Sequence, residues 1–309
     1  MLVYRNTEYL PRFRNAVLTI GTFDGVHTGH QQVIAKMKKR ALEVEGETVI
    51  VTFDPHPRTI VRAADDLRLI NTLDEKIELL ADKGIDHLVI VPFTAEFAQL
   101  SAEDYIRQFL VRYFHPHTLI IGYDHRFGKG RSGNYELLEQ QSALYQFHLM
   151  EIPPHLLNSI SVSSTRIREA IAAGDMDSAE KLLGYRFFFS GQVMQGDQIG
   201  RKIGYPTANL TMADQSKMIP GDGVYAVDVV VSDEPACKYR GMMNIGYRPT
   251  VAGTQKMVEV NIFDFDRTIY HCTLKVYVKK FLRAEEKFSG LEALKSQLGR
   301  DRALAERIV

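Results

Sequence analysis

Short apolar runs alternate with segments of helical periodicity from the start of the chain to residue 183. Four runs are strand-sized and rich in valine and isoleucine: residues 17–20, 48–53, 87–91 and 118–122. Four helix-like segments follow them in turn: residues 30–42, 74–81, 102–113 and 135–144. Such alternation is typical of parallel strands joined by helical crossovers. It predicts an α/β domain with an open, doubly wound sheet, whose ligands bind beyond the carboxyl ends of the strands.

Two of the expected helices begin with a capping pattern. Thr72 precedes Glu75 by three residues, and Ser101 precedes Asp104 by the same spacing. In the pattern S/T-x-x-[DE], the hydroxyl accepts a hydrogen bond from a backbone N–H group of the first turn. Both positions are therefore predicted helix starts.

The pattern changes after residue 183. Six β-rich segments follow in close succession, near residues 187–194, 205–210, 223–231, 238–245, 256–263 and 273–281. We expect no helix between them, and closely spaced strands of this kind predict an antiparallel barrel or sandwich. A helical tail over 291–308 closes the chain. Because its 309 residues are about twice the usual length of one domain, we expect two domains, 1–183 and 184–309.

Charge and cysteine content argue against several classes of protein. The chain has 38 lysines and arginines against 38 aspartates and glutamates, so it has no bulk positive charge for non-specific binding to nucleic acid. Cys237 and Cys272 lack the spacing of a disulfide framework or a zinc site. No apolar run reaches the roughly 18 residues that span a bilayer, and residues 1–13 lack the apolar core of a signal peptide. We expect a cytoplasmic protein that binds neither membrane nor nucleic acid.

The first stretch with candidate chemistry reads G-T-F-D-G-V-H-T-G-H over residues 21–30. It follows an apolar strand and opens a helix, where first-turn N–H groups and the helix dipole bind phosphate oxygens. His27 and His30 are three residues apart, so both imidazoles can project from one face of that turn. Two donors placed there could stabilise charge that develops on an α-phosphate when pyrophosphate is displaced.

Two simpler interpretations of these histidines stay open. They could cap the helix or lie on the surface, and a metal site would need a third ligand, for which His56 is the only candidate. However, the preceding strand, the glycines Gly25 and Gly29 and the helix start occur together. Phosphate binding is the interpretation that uses all of them.

Two further stretches of this half suit a nucleotide ligand. S-S-T-R-I-R at residues 163–168 opens another helix, where hydroxyls, N–H groups and arginines can hold β- and γ-phosphates. Taken alone, it is a helix cap followed by two surface arginines. G-Y-D-H-R-F-G-K-G at residues 122–130 is a glycine-rich loop at the carboxyl end of a strand, where a substrate should lie. An ordinary connection has the same composition.

With these motifs the N-terminal half resembles a known family. H-T-G-H at 27–30 with S-S-T-R-I-R at 163–168 is similar to the nucleotidylyltransferase superfamily. The longer strings G-T-F-D-G-V-H-T-G-H, F-D-P-H-P and R-F-G narrow the likeness to the bacterial bifunctional riboflavin kinase/FAD synthetases. The resemblance implies a Rossmann-like nucleotidylyltransferase domain that adenylylates FMN with ATP, giving FAD and pyrophosphate.

The resemblance also implies roles for individual residues of this domain. His27 and His30 are the catalytic residues at the ATP phosphates. The other ATP- and phosphate-binding residues are Gly21, Thr22, Phe23, Asp24, Gly29, Ser163, Ser164, Thr165 and Arg168, and the flavin-side residues are Asp124 and Arg126. His125 departs from the family's usual Asp-Phe-Arg-Phe-Gly, in which phenylalanine takes its place. This departure concerns the flavin contact and not the chemistry.

The C-terminal half has candidate residues of its own. A glycine-rich stretch with two basic residues could cover phosphates, although it has no Walker pattern and such loops are more often turns. Its candidate phosphate-binding residues are Gly191, Gly196, Lys202 and Gly204. Thr207 and Asn209 in P-T-A-N are two apart, so on a strand they face the same way and present two hard oxygens to Mg²⁺. The alternative is a solvent-facing polar pair on an edge strand.

Glu259 lies on an alternating strand, 258–263, with Asn261 on the same face. A carboxylate there could deprotonate an alcohol that attacks a γ-phosphate, although an exposed strand glutamate is the simpler interpretation. Residues 281–288 lead into the terminal helix and could help to enclose a planar ring.

These C-terminal motifs resemble the riboflavin kinase module. P-T-A-N, the Glu259 strand and F-L-R-A-E-E-K-F match it, and its family fold is a six-stranded antiparallel β-barrel with a terminal helix. The resemblance implies that Thr207 and Asn209 bind Mg-ATP and that Glu259 is the base at the ribityl 5′-hydroxyl. The riboflavin-binding residues are then Arg283, Glu286 and Phe288. Relatives carry histidine or tyrosine at the place of Asn261, which therefore receives no role.

Together the two modules predict a bifunctional enzyme that phosphorylates riboflavin to FMN and adenylylates FMN to FAD. ATP is the second substrate of both steps, and Mg²⁺ is the expected cofactor. The expected partners are small molecules, with no obligate protein partner. Two alternatives are a nucleotidylyltransferase for a different phosphate ester, which has no need of the P-T-A-N module, and a flavin-binding regulator without catalysis, which has no need of reactive side chains in both halves.

Overall fold

The computed structural model of the chain describes residues 1–61, 67–123, 125–152, 162–196, 199–250 and 253–308. The chain forms two compact units, Met1–Ser164 and Thr165–Val309. The first contains a parallel sheet and the second a closed barrel. No helix of the described ranges is long and apolar enough to cross a membrane.

Six parallel strands form the sheet of the first unit, in the order β1-β4-β3-β2-β5-β6. They are β1 (Leu2–Tyr4), β2 (Val17–Ile20), β3 (Thr48–Asp54), β4 (His87–Pro92), β5 (Thr118–Gly122) and β6 (His148–Ile152). The four inner strands are the predicted apolar runs, so the prediction of a parallel α/β sheet is confirmed. The sequence does not predict the edge strands β1 and β6, because β1 is only three residues long and β6 mixes histidine and glutamate with its apolar residues.

Helices connect these strands. They are α1 (Thr28–Glu43), α2 (Pro57–Val61), α3 (Leu73–Asp82), α4 (Ala95–Ala98), α5 (Ala102–Asp104), a π-helical segment (Tyr105–Val111), α6 (Arg112–Phe114), a 3₁₀ turn (Lys129–Arg131), α7 (Tyr135–Tyr145) and α8 (Ser164–Ala172). Both predicted capping patterns are confirmed. Thr72 and Glu75 form a reciprocal capping box, and the Asp104 N–H donates to the Ser101 hydroxyl at 3.0 Å.

Strand β2 marks the switch in strand order of this sheet. It is buried along its whole length and lies between β3 and β5. In open α/β sheets, ligands bind beyond the carboxyl ends of the strands at such a point. Residues 21–27 follow β2 and residues 125–128 lie shortly after β5, and both belong to the glycine-rich stretches of this half.

Six antiparallel strands close the barrel of the second unit, in the order β10-β11-β8-β7-β12-β9. They are β7 (Phe188–Met194), β8 (Ala208–Thr211), β9 (Gly223–Val231), β10 (Tyr239–Thr250), β11 (Gly253–Ile262) and β12 (Thr273–Arg283). The helices of this part are α9 (Met176–Leu183), α10 (Ile199–Lys202) and α11 (Leu291–Arg307). A barrel, and not a sandwich, is therefore the correct alternative, and α11 packs against β9, β10 and β12.

Two features of the second unit differ from the expected outline. Helix α10 lies where the sequence predicts no helix; its four residues stand among glycines and are too few for periodicity to reveal. The division of the chain into compact units also falls within α8, between residues 164 and 165, and α9 packs against β12 within the second unit. The division at 183/184 stays a prediction about which fragments fold alone.

Candidate active sites

The loop after β2 has an unusual backbone. Phe23, Gly25 and Val26 all have positive φ, at 47°, 89° and 35°. This conformation is rare for a β-branched residue such as Val26 and is found mainly where function requires it. Two hydrogen bonds hold it: the Val26 N–H donates to the Phe23 carbonyl at 3.1 Å, and Gln31 Nε2 donates to the Val26 carbonyl at 2.9 Å. The loop is thus held in one strained shape at the switch point of the sheet.

His27 and His30 lie together at the start of α1. Their rings stack with centroids 3.7 Å apart and an interplanar angle of 17°, so the prediction that they share one face is confirmed. His27 is also the N-cap of α1, because its Nδ1 accepts the His30 N–H at 3.4 Å. The capping interpretation is therefore correct as well. Gly29 leaves room for the stack, since a β-carbon there would lie 3.2 Å from the His27 ring.

Burial keeps both imidazoles neutral. It lowers the pKa of His27 to about 4, although the nearby Asp24 carboxylate acts in the opposite direction. Burial also lowers the pKa of His30 well below its usual value, and His27 and Lys76 lower it further. Each ring then offers one N–H and one lone pair. His30 Nδ1 is buried without a hydrogen-bond partner among the described residues.

Asp24 connects three segments of the first unit. Its carboxylate accepts the N–H groups of Ile70 at 3.0 Å and Asn71 at 3.3 Å, and it is 1% exposed. Its carbonyl accepts a hydrogen bond from Ser164 Oγ at 3.0 Å. The structure therefore brings Ser164 to the loop after β2, its phosphate contact stays a prediction, and the observed contacts of Asp24 are those of a residue that holds the loop.

The other predicted residues of this half lie in different settings. Gly21 N–H donates to the Val51 carbonyl at 3.0 Å and continues the sheet. Ser163 and Arg126 are exposed, and Asp124 lies outside the described residues. Thr165 and Arg168 lie on α8 in the second unit, and their phosphate contacts stay predictions. His125 stacks on Phe127 with ring centroids 5.8 Å apart.

The metal interpretation of the histidines receives no support from His56. Its Nδ1 accepts the Arg58 N–H at 3.1 Å. Within the part of the chain that the structure describes, no three histidine, cysteine, aspartate or glutamate side chains form a group that could hold a metal ion.

A cavity of about 410 Å³ lies in the second unit. Its walls include all six residues predicted as metal ligands, base or riboflavin contacts: Thr207, Asn209, Glu259, Arg283, Glu286 and Phe288. These six residues are spread over the stretch from residue 207 to residue 288, so the fold brings together positions that are far apart along the chain. This volume is in the usual range of small-molecule sites.

Strand pairing places the base beside the candidate metal ligands. Asn209 on β8 is directly opposite Glu259 on β11, and Thr207 comes one residue before β8. A hydroxyl, an amide oxygen and a carboxylate therefore line one cavity, which is the hard-oxygen set that Mg²⁺ prefers. Gly196 packs so closely that a β-carbon there would overlap the Asn209 amide. The residues present thus fit a magnesium ion with part of its shell left for water and phosphate.

The remaining glycine and lysine candidates are less informative. Gly191 is buried in β7 beside Leu210, where it belongs to the barrel wall. Gly204 has a left-handed φ of 84° in an exposed turn. The side chain of Lys202 lies outside the described residues, so its phosphate contact stays a prediction.

Several residues that line the cavity receive no role from the sequence motifs. Asn261 is 5% exposed, and its Nδ2 donates to the Pro206 carbonyl at 2.7 Å, directly before Thr207. Asn244 Nδ2 donates to Glu285 Oε1 at 3.1 Å on the cavity wall. Three methionines, Met242, Met243 and Met257, line the same cavity. The alternation of apolar and polar residues predicts these strands. It does not show which polar side chains of different strands contact each other.

Arg283 lines the cavity and also makes contacts that the sequence does not predict. Its Nε and Nη2 donate to the Asp301 carboxylate at 2.8–3.1 Å, and Nη1 donates to the Ala284 carbonyl at 2.9 Å. Asp301 lies on α11 and is 3% exposed. The guanidinium therefore joins β12 to the terminal helix, and its contact with riboflavin stays a prediction.

Both sites lie within regions that match known families. The model described as FAD synthetase matches residues 10–166, and the model described as riboflavin kinase matches residues 183–309. These ranges include the strained loop of the first unit and the cavity of the second. The order of the two matches is the order predicted from the motifs.

Relatives extend the match to nearly the full chain. The bifunctional riboflavin kinase/FMN adenylyltransferase of Escherichia coli (strain K12) is 36% identical over 289 residues, which cover 94% of this chain and 91% of that protein. The Listeria monocytogenes protein of that name is 37% identical and covers 93% of this chain and 90% of its own. A crystal structure described as a macrolide-efflux protein from Streptococcus pneumoniae has a TM-score of 0.88 and 31% identity, and covers 99% of this chain and 98% of that one. The chain belongs to the family of bifunctional riboflavin kinase/FMN adenylyltransferases.

Proposed function

We propose that the chain converts riboflavin to FAD in two steps at two separate sites. The cavity of the barrel transfers the γ-phosphate of ATP to the 5′-hydroxyl of riboflavin and releases ADP. The loop after β2 transfers the adenylyl group of another ATP to FMN and releases pyrophosphate. The observation with the most weight is that Thr207, Asn209 and Glu259 converge on one cavity.

Glu259 acts as the general base of the kinase step. It accepts the proton of the 5′-hydroxyl while that oxygen attacks the γ-phosphorus. The bond from the γ-phosphorus to the bridging oxygen breaks, and ADP leaves with the electron pair. Thr207 and Asn209 would hold Mg²⁺, which would neutralise charge on the phosphates. Asn261 supports this site because it fixes the carbonyl that precedes Thr207.

The cavity wall suits a flavin ring. Met242, Met243 and Met257 are soft and polarisable, and thioethers make favourable contacts with aromatic rings. Phe288 adds a planar surface to the same wall. A large, flat, mostly apolar ring with a polar ribityl chain fits this combination of apolar walls and a few polar groups.

His27 and His30 serve the adenylylation step as neutral donors. A phosphate oxygen of FMN attacks the α-phosphorus of ATP, and the bond to the β-phosphate breaks. The FMN phosphate is largely deprotonated at neutral pH, so this step needs no base. Imidazole N–H groups placed where charge develops lower the barrier. The unsatisfied His30 Nδ1 supports a bound substrate at this position.

The two activities divide along the chain. We assign adenylylation to residues 1–183 and phosphorylation to residues 184–309, with ATP, riboflavin and FMN as the small-molecule partners. The balanced charge and the two isolated cysteines support a cytoplasmic enzyme that acts without nucleic acid. We assign no obligate protein partner.

One experiment separates the two sites. The His30→Ala and Glu259→Gln variants are assayed with riboflavin, ATP and Mg²⁺, and separately with FMN, ATP and Mg²⁺. Loss of one transition-state donor in His30→Ala should lower the adenylylation rate about 10²–10³-fold, with phosphorylation retained. Loss of the base in Glu259→Gln should lower the phosphorylation rate about 10²–10⁴-fold, with FMN still converted to FAD.

The result that would contradict the proposal is equal loss of both activities in either variant, or a rate within a few-fold of the unmodified chain at the affected site. Riboflavin affinity of the Glu259→Gln protein is the matched control, because a base is not required for binding. If the unmodified chain adenylylates another phosphate ester and not FMN, the first unit is a nucleotidylyltransferase of different specificity.

A further inference from the structure

Lys76 is a buried cation of the first unit that no sequence motif identifies. It lies on α3 and is 7% exposed. Among the described residues, Thr52 Oγ1 is the single hydrogen-bond partner of its ammonium group, at 3.5 Å. A buried ammonium with three donors is costly unless nearby charges or dipoles compensate it. Its burial next to the loop after β2 therefore makes it a candidate for a role in that site.

Thr52 links Lys76 to the loop after β2. Its side chain is fully buried near the carboxyl end of β3. Its hydroxyl donates to the Thr22 carbonyl at 3.1 Å, and a hydroxyl can accept from one group while it donates to another. The ammonium of Lys76, the Thr52 hydroxyl and the Thr22 carbonyl thus form a continuous chain from α3 to the loop after β2.

Two carboxylates act electrostatically on the same ammonium. Burial lowers the pKa of Lys76, whereas Asp24 and Asp54 favour its charged form. The carboxylate of Asp24 also binds the N–H groups of residues 70 and 71, which lead into α3. Glu75, the nearest acidic neighbour on α3 itself, is used in the capping box. The loop and the start of α3 are therefore joined by opposite charges and by backbone hydrogen bonds.

His30 lies within the field of this ammonium. The positive charges of Lys76 and of a protonated His27 both disfavour a proton on His30. Besides burial, these two charges are the ones that lower the pKa of the His30 ring. A second positive charge beside Lys76 is therefore disfavoured, and the ring stays a neutral donor.

We propose that Lys76 is a positioning residue of the adenylylation site, whose ammonium holds residues 21–24 against β3 through Thr52 and supplies the positive charge beside His30. It acts through the loop and the imidazole and does not itself take part in bond making. The role rests on the proposed adenylylation of FMN. It extends the site to a helix that none of the recognised motifs includes.

Variants of the full chain separate the two parts of this role. Lys76→Met removes the charge with little change in length, Lys76→Arg keeps the charge, and Thr52→Val removes the hydroxyl and keeps the shape. Lys38→Met is the matched control, because Lys38 is an exposed lysine of α1 whose ammonium binds the Lys83 carbonyl at 2.9 Å. Rates of adenylylation and phosphorylation are measured from pH 5 to pH 9, with kcat and KM for ATP determined separately.

Removal of the charge should have two effects. In Lys76→Met, the kcat of adenylylation should fall about tenfold or more, the scale of a lost charge-assisted hydrogen bond, and the acid limb of its pH profile should move to higher pH. Thr52→Val should lower kcat by about fivefold without moving the acid limb, and Lys76→Arg should keep the limb in place. Phosphorylation of riboflavin should stay unchanged in all variants.

A spectroscopic measurement tests the same idea without activity. In protein labelled at histidine, the NMR titration of His30, assigned with the His30→Ala variant, should move to higher pH in Lys76→Met and stay in place in Lys38→Met. An unchanged titration together with unchanged adenylylation in Lys76→Met would overturn the proposal. If Lys76→Met fails to fold, normal adenylylation by Thr52→Val overturns it instead. Failure of the unmodified chain to make FAD, with the His30 shift observed, would contradict the proposed function and not the role of Lys76.

Discussion

His27 has two roles that depend on one protonation state. As the N-cap of α1 it accepts a hydrogen bond at Nδ1, so its neutral form carries the proton on Nε2. That N–H is then available to donate to a phosphate. Protonation of Nδ1 would remove the cap and add a buried charge. The residue thus couples the stability of α1 to the state of the site.

The stability of α1 should therefore depend on pH. The pKa of His27 is about 4 in the folded protein and 6.5 in its ordinary state, so the unfolded chain binds the extra proton. Stability is fully present above pH 6.5 and is lost as the pH falls towards 4, by up to about 1.4 kcal/mol per pH unit for one proton. Native-state hydrogen exchange of α1 amides between pH 4.5 and 7.5 measures this.

His27→Asn is the variant that isolates the effect. Asparagine caps helices well and does not titrate, so the pH dependence of the α1 opening free energy should become shallower by the share of His27, while the share of the buried His30 remains. A slope as steep as that of the unmodified chain would show that other groups cause it.

The terminal helix and the last strand are held together by one buried ion pair. Arg283 on β12 binds Asp301 on α11 with side-chain exposures of 16% and 4%, and Gln297 Nε2 donates to the same carboxylate at 2.8 Å. Leu294 and Leu298 of α11 line the cavity of the barrel. The ion pair therefore positions part of the cavity wall.

Loss of either partner should have the same consequence. Asp301→Asn or Arg283→Met leaves one buried charge uncompensated, which should lower the unfolding free energy of the barrel by about 3–5 kcal/mol and raise the KM for riboflavin. The double variant should lose less than the sum of the two. Denaturant unfolding and kinase kinetics measure both effects.

Asp264→Asn is the control, because its pair with Arg302 is 81% exposed on the aspartate side and should contribute less than about 1 kcal/mol. If only Arg283→Met raises the KM, Arg283 binds riboflavin directly.

At the scale of the whole molecule, the connector between the matched families packs with the barrel. Residue 221 N–H donates to the Ile171 carbonyl at 3.3 Å, and Lys280 pairs with Asp177 at 3.5 Å. A β-carbon at Gly174 would lie 3.0 Å from the Tyr225 hydroxyl. Helices α8 and α9 thus cover barrel residues that a shorter fragment would expose.

Two fragments test the division of the chain. Residues 184–309 and residues 165–309 should both phosphorylate riboflavin and neither should make FAD. The longer fragment should melt at least about 5 °C higher, because burial of one or two large apolar side chains contributes about 1.5–3 kcal/mol each and 1 kcal/mol shifts the melting temperature of a domain this size by about 4 °C. Equal melting temperatures would show that α9 adds nothing to the barrel, and an inactive but folded longer fragment would contradict independent activity.

The sequence by itself determined what depends on neighbours along the chain. Alternating apolar positions predicted the inner strands, capping patterns predicted the starts of α3 and α5, and ordered motifs predicted the family and the residues that line the cavity. Thr207 and Asn209 could be paired because their spacing is local.

Only the tertiary structure decided which distant groups meet. The contacts of Lys76 with Thr52, of Asn261 with the carbonyl of residue 206 and of Arg283 with Asp301 join positions on different elements. Such contacts depend on strand register and helix packing, which set distances between side chains that no local pattern encodes. Burial has the same origin: the neutral state of His27 and His30 follows from the atoms packed around them, because a charge is costly wherever water is excluded.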